Sequence, residues 1–172
     1  MAAKKTRRAT ARRGKIHLHI ENTGKLDPVF QVTRQRLNDA LRNYPAVARR
    51  MTVSLGQDGD IYDKVIGKTD VLFGWSFDRR DLHSRAPRLK WAAAHAAGVG
   101  HLMPLDWLPE GAVLTNSSGV HGDRATEYLL MALLLLNNRV PEMTTSQRQR
   151  RWEQRFNSGI SGKTLLIIGV GS

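Results

Sequence analysis

Four short stretches carry residue types that could do chemistry. The first is Ala97-Gly98-Val99-Gly100-His101. Glycines at this spacing behind an apolar segment let backbone N–H groups converge on an anion, and a small carboxylate suits the size. A tight turn that needs glycine would give the same pattern. The second and third stretches are Gly74-Trp75-Ser76 and Asn116-Ser117-Ser118-Gly119-Val120-His121, each behind a short apolar run. The fourth, Gly169-Val170-Gly171, follows the apolar run 164–168. A dinucleotide-binding βαβ unit opens this way: a buried parallel strand, then glycines that turn tightly and let the backbone approach a pyrophosphate. The third glycine of that fingerprint would stand two positions beyond Ser172, and the helix and ribose-binding acid that complete it would lie further on.

The elements that must position these stretches can be read in order. Residues 15–20 alternate with period two and predict a strand. His17 and His19 share one of its faces, as polar positions on a partly covered strand rather than a metal site. A helix is expected from Pro28 with Asp27 as N-cap, its apolar face made by Val29, Val32, Leu37 and Leu41. Strands are expected at 51–55, 70–75, 89–95 and 113–115, with short helical pieces at 60–66 and 78–84. Asp123 is expected to cap a helix whose residues 125–136 are apolar nearly all round. Such a helix should be buried on several sides. A polar helix over 141–155 follows, and 164–168 closes the chain as a buried strand. Alternation of strand and helix at this spacing predicts an α/β fold with a parallel sheet. Ligands on such folds bind at the carboxyl ends of strands, which is where the first three stretches fall.

Composition narrows the function class. The chain has 172 residues, 41% hydrophobic, and no cysteine. A disulfide scaffold, a thiolate metal site and a cysteine nucleophile are thereby excluded. The formal net charge is +12, and residues 1–15 contribute +7 of it with no acid. A disordered basic tail over 1–14 is expected, because such a segment has almost nothing to bury. Neither a nucleic-acid site nor a membrane span is expected: the basic run 148–155 reads as a solvated face, and the apolar run 128–136 is about half a span.

Taken together, five segments resemble the D-isomer-specific 2-hydroxyacid dehydrogenase family. They are residues 89–101, Asn116-Ser117-Ser118-Gly119-Val120-His121, Ala125-Thr126-Glu127-Tyr128 opening a Leu-rich helix, Arg151-Trp152, and residues 162–171. The resemblance covers about residue 50 to the end. It implies a flavodoxin-like substrate domain over 15–122, then 123–172 as interdomain and dimerisation helices and the first strand of an incomplete NAD-binding Rossmann domain. It implies that the Gly98 and Val99 amides, with Gly100, hold a substrate carboxylate, that Gly74 and Trp75 line the same cleft, and that His121 either contacts substrate or has a structural role. Gly169 and Gly171 would lie under the pyrophosphate of NAD or NADP. The implied activity is hydride transfer between nicotinamide and a small 2-oxo or 2-hydroxy acid by a cytoplasmic homodimer joined through the helix at 123–140. The family's catalytic arginine, glutamate and histidine all follow the NAD fingerprint, so no catalytic residue is expected in this chain, and this portion alone is expected to be inactive. Gly100 stands where the family often has an acid, and His121 where it often has asparagine. The alternative reading is a non-enzymatic module that binds a small acid or dimerises, with a basic arm.

Overall fold

The computed structural model describes residues 14–169; the basic tail and Gly171 lie outside them. The chain divides after Ser117 into two units. In the first, strands β1 (Ile16–Asn22), β2 (Met51–Gln57), β3 (Val71–Gly74), β4 (Trp91–Ala94) and β5 (Val113–Thr115) form one sheet. Every pairing is parallel and the order is β2-β1-β3-β4-β5. This is the flavodoxin-like order, with the reversal of direction between β1 and β3. All five strands expected in this unit are present, and β1 and β2 each run two residues past their apolar pattern.

The connections follow their caps. The Asp27 carboxylate accepts the Val29 N–H at 2.9 Å, but the turn it caps, Pro28–Phe30, is a single 3-10 turn. The longer helix α1 (Arg34–Arg42) starts afresh at Thr33, whose hydroxyl accepts the Arg36 N–H at 3.2 Å. A threonine hydroxyl caps a helix in the same way as an aspartate carboxylate. Three one-turn helices complete the crossovers: α2 (Pro45–Ala48), α3 (Tyr62–Val65) and α4 (Leu82–Arg85). The core gathers on one face of the sheet, where Leu72 and Ala92 meet Tyr62, Ile66, Leu82, Leu102 and Trp107.

That face also corrects the reading of β1. Register places His19 beside Ser54 of β2 and Leu72 of β3, so the polar positions of β1 point into the core. His17 is 8% exposed, His19 0% and Glu21 4%. They survive there because they are bonded to one another: His17 Nε2 lies 3.1 Å from Ser54 Oγ, Ser54 Oγ 2.9 Å from His19 Nδ1, and His19 Nε2 2.8 Å from Glu21 Oε2. The Gly59 N–H donates to the other Glu21 oxygen at 2.7 Å. A buried polar group costs little only when so paired. Among the described residues no group of three or more His, Asp or Glu could hold a metal ion.

The second unit holds α5 (Gly122–Asn137) and α6 (Val140–Arg148). Four expectations change here. Asp123 sits in the first turn of α5 rather than at its cap, which is His121. No residue of α5 is buried, and Leu136 is 69% exposed. The second helix ends at Arg148, ahead of Arg150 at φ 55°, so residues 151–155 are not helical. Residues 164–168 form no strand, and Leu166 is 81% exposed. A parallel strand exists only through its partners, and none of the five strands takes this segment as a neighbour.

The packing sorts two leucines. Leu72→Ala, at 0% exposure, should cost about 3 kcal/mol in urea unfolding. Leu166→Ala should fall within about 0.5 kcal/mol of the parent.

Candidate functional site

β4 reaches the carboxyl end of the sheet as a run of alanines, with Ala92, Ala93, Ala94 and Ala96 buried. Small side chains let the chain pass between the core and the next strand without a bulge. Past the strand, the backbone is held by the loop that follows β5. The Ser117 N–H donates to the Ala96 carbonyl at 3.0 Å, and the Asn116 Nδ2 amide donates to the Ala97 carbonyl at 2.8 Å. The Ser117 hydroxyl reaches the Ala94 carbonyl at 3.4 Å. On the far side, the Leu102 N–H donates to the Val99 carbonyl at 2.8 Å, and Leu102 is 1% exposed.

Among the described residues, the amides of Gly98, Val99 and Gly100 donate to no acceptor of the chain. Three adjacent free N–H groups on a fixed backbone can bind an anion, and a carboxylate can accept from two at once. The glycines there are not required by the turn. Neither Gly98 nor Gly100 is among the residues of positive φ, and a Cβ on either would meet nothing within 4 Å. What glycine leaves at these two positions is open room beside the amides. Gly74 is different: a Cβ there would stand 2.7 Å from the Glu21 carbonyl. Close approach of β1 and β3 accounts for that glycine, so its place in the sequence motif reflects packing.

Trp75 joins the same neighbourhood. The His101 ring stacks on it at 5.6 Å and 19°, and His101 Nε2 donates to the Trp75 carbonyl at 2.7 Å. The loops after β3 and β4 are thereby tied. Phe30 packs at 5.9 Å on Trp75. His95, which the sequence pattern did not single out, lies 5.5 Å from both Trp75 and Phe73. Its Nε2 is buried without a partner among the described residues, and burial pushes its pKa down. The one signal for it was a lone polar residue inside the alanine run 92–97. Neither His95 nor His101 has a carboxylate partner, so no oriented general base stands at the loop.

The remaining residues named from the sequence belong to the second unit. His121 is exposed and its side chain makes no cap bond. Gly169 has φ 88°, as a tight glycine turn requires. Gly171 lies outside the described residues.

A cavity of about 530 Å³ opens elsewhere in the first unit, lined by Glu21, residues 22–25, Asp58, Gly59, Tyr62, Asp63, residues 76–78 and Arg80. It offers an acid little. Its lining holds four carboxylates against Lys25 and Arg80, and Arg80 is committed. The hydrogen bond from Arg80 and the nearby Arg85 hold the Asp78 carboxyl well below the usual carboxylate range. The amides of residues 98–100, by contrast, have no acceptor among the described residues.

No family model matches the chain, and no curated protein does. Solved structures do. The chain is similar to a D-isomer-specific 2-hydroxyacid dehydrogenase family protein from Aeromonas salmonicida subsp. salmonicida, at 22% identity and a TM-score of 0.58 over 87% of this chain and 44% of that one. A protein of the same description from Klebsiella pneumoniae 342 gives 21%, 0.56, 86% and 42%. A D-isomer-specific 2-hydroxyacid dehydrogenase from Xanthobacter autotrophicus Py2, solved in complex with NADPH and MES, gives 20%, 0.60, 84% and 42%. The chain thus spans less than half the length of each. At these identities the likeness shows the fold.

Two outcomes follow for this site. Gly98→Ala should leave the melting temperature unchanged, since its Cβ enters open space, whereas Gly74→Ala should lower it by several degrees. Thermal unfolding of the two variants checks this. Stability should also rise with pH from about 5 to about 7. His17 and His95 have pKa values lowered by burial, so the unfolded chain binds more protons across that window and acid favours unfolding. Urea midpoints at the two pH values measure the rise, and His95→Phe should flatten it to the share of His17.

Proposed function

We propose that the chain is the substrate-domain portion, with the beginning of the NAD(P) domain, of a D-2-hydroxyacid dehydrogenase. The observation that carries this reading is the set of free amides at Gly98, Val99 and Gly100, fixed by Asn116 and Ser117 at the carboxyl end of β4. Those donors would take the carboxylate of a small 2-oxo or 2-hydroxy acid, with Trp75 beside it. The flavodoxin-like strand order and the three structural likenesses agree with such a domain.

The cofactor of this reading, NAD or NADP, would supply or accept the hydride. The residues present offer it only the glycine turn at Gly169, with Gly171 to follow. The chain's own contribution is to bind and orient the acid. Proton transfer needs a histidine with an orienting carboxylate, and the loop has none. Residues 1–172 alone are therefore read as binding the acid without turning it over. The uncovered apolar flank of α5, with Tyr128, Leu129 and Leu136 all exposed, is read as the homodimer surface. No helix among the described residues is long and apolar enough to cross a membrane, and a cytoplasmic enzyme is the setting this reading takes.

The test is an NMR titration of the labelled chain with oxamate, a stable analogue of a 2-oxo acid. The Gly98, Val99 and Gly100 amide signals should move together, with a dissociation constant in the millimolar range. Shifts confined to the Asn22–Asp58 cavity, or none at all, would sink the reading.

A further inference from the structure

The amino ends of the strands carry a feature that chain order hides. Lys15 leads into β1, Arg49 and Arg50 into β2, Lys68 into β3, and Arg88 and Lys90 into β4. We propose that this edge of the sheet binds the phosphate backbone of nucleic acid, independently of the loop at the carboxyl end of β4.

Topology gathers these residues. The order β2-β1-β3-β4 puts their four strand entries side by side. Backbone bonds fix the alignment. The Ile16 N–H donates to the Arg50 carbonyl at 2.8 Å, the Asp70 N–H to the His17 carbonyl at 2.9 Å, and the Lys90 N–H to the Asp70 carbonyl at 2.9 Å. Neighbouring strands lie about 4.8 Å apart, so the four entries span about 14 Å. Over that distance one strand of a duplex presents about four phosphates. In the sequence the same cations are scattered between residues 15 and 90, and no basic run marks them.

The cations are available. All six residues are exposed. Among the described residues, the side chains of Lys15, Arg49, Arg50, Lys68 and Lys90 enter no ion pair or hydrogen bond. Arg88 is taken by the one acid at these four entries. Asp70, 7% exposed, accepts from the Arg88 guanidinium at 3.1 Å and from the His17 N–H at 2.9 Å. The carboxyl end of the sheet is charged differently. Its loops at 22–27, 58–60 and 76–81 hold five acids against three bases. The sheet is thus polarised, with its basic excess at the amino ends of the strands. β5 is entered through Glu110, so the row stops at β4.

The pattern favours a phosphate backbone over a lipid surface. Cations at successive strand ends follow a line, as the phosphates of a nucleic-acid strand do. A bilayer surface is held by cations together with apolar side chains that insert. Here the cations alternate with Gly14, Gly67 and Pro87, and Leu89 is 5% exposed. Phosphate contacts carry no sequence information, so the edge binds without regard to base sequence. Residues 4–13 add six cations and no acid ahead of β1 and lie outside the described residues. The row is separable from them, because its members can be neutralised while that segment stays unchanged.

The test is fluorescence anisotropy of a labelled DNA duplex of about 20 base pairs, titrated with the full chain between about 50 and about 200 mM salt. Arg49→Gln, Arg50→Gln, Lys68→Gln and Lys90→Gln combined should flatten the slope of log affinity against log salt by about 3 to 4. The same variant should bind at least about tenfold more weakly at the lowest salt. A charge-matched control, Arg34→Gln, Arg124→Gln, Arg148→Gln and Lys163→Gln, removes four exposed cations elsewhere. It should change the slope by less than about 1. Circular dichroism checks the fold of each variant. If the row variant unfolds, the pairs Arg49→Gln with Arg50→Gln and Lys68→Gln with Lys90→Gln should each flatten the slope by about 2. No anisotropy change with the unaltered chain, equal loss in row variant and control, or an unchanged slope in the row variant would overturn the proposal. So would binding of phosphatidylserine vesicles by a chain that leaves the duplex free.

Discussion

Every backbone N–H and C=O in this molecule needs a partner, and the parallel sheet is where most of the first unit finds one. That constraint explains the site as well as the scaffold. The ladder ends at Ala94, and the chain beyond it is no longer paired strand to strand. Ser117 and Asn116 take over the carbonyls of Ala96 and Ala97. Leu102 closes the far side through the Val99 carbonyl. Those carbonyls are satisfied, and the amides of residues 98–100 are left without an acceptor among the described residues. The same constraint works against the end of the chain. Residues 164–168 have the composition of a buried strand, yet they find no ladder to join among the described residues.

Charge placement separates two regions of the first unit. The cavity under residues 22–25 is built from ion pairs that are already complete, as Asp78 with Arg80 and Arg85 shows. The loop after β4 holds backbone donors without acceptors among the described residues, the His95 imidazole, whose pKa burial lowers, and aromatic rings. The core face of β1 follows a third pattern, in which polar groups are buried but bonded in series from His17 to Glu21. Each region satisfies its polar atoms differently.

Much of this was legible from the residues, and the misses have physical causes. Period-two alternation placed β1, and short apolar runs bounded by turn residues placed the other four strands. The loop at Gly98 was visible as glycines behind an alanine run. That the turn itself does not require those glycines could not be read until φ and the open space at each Cβ were known. His17 and His19 were assigned to the less covered face because polar residues usually lie there. The pattern continued to Glu21, and three polar residues in step on one face were the sign of a bonded series. The helix from Pro28 failed because Thr33 offered a second cap. The burial expected for α5 failed for a different reason: its apolar residues are a property of the sequence, while burial depends on what covers them.

The account rests on the claim that the amides of Gly98, Val99 and Gly100 hold a carboxylate. A crystal structure of the chain grown with oxamate tests it most directly. The account predicts the oxamate carboxylate within about 3 Å of two of those nitrogens, with Asn116 and Ser117 still bonded to the Ala97 and Ala96 carbonyls. Oxamate bound in the cavity under residues 22–25, or these amides found bonded to carbonyls of the chain itself, would contradict it.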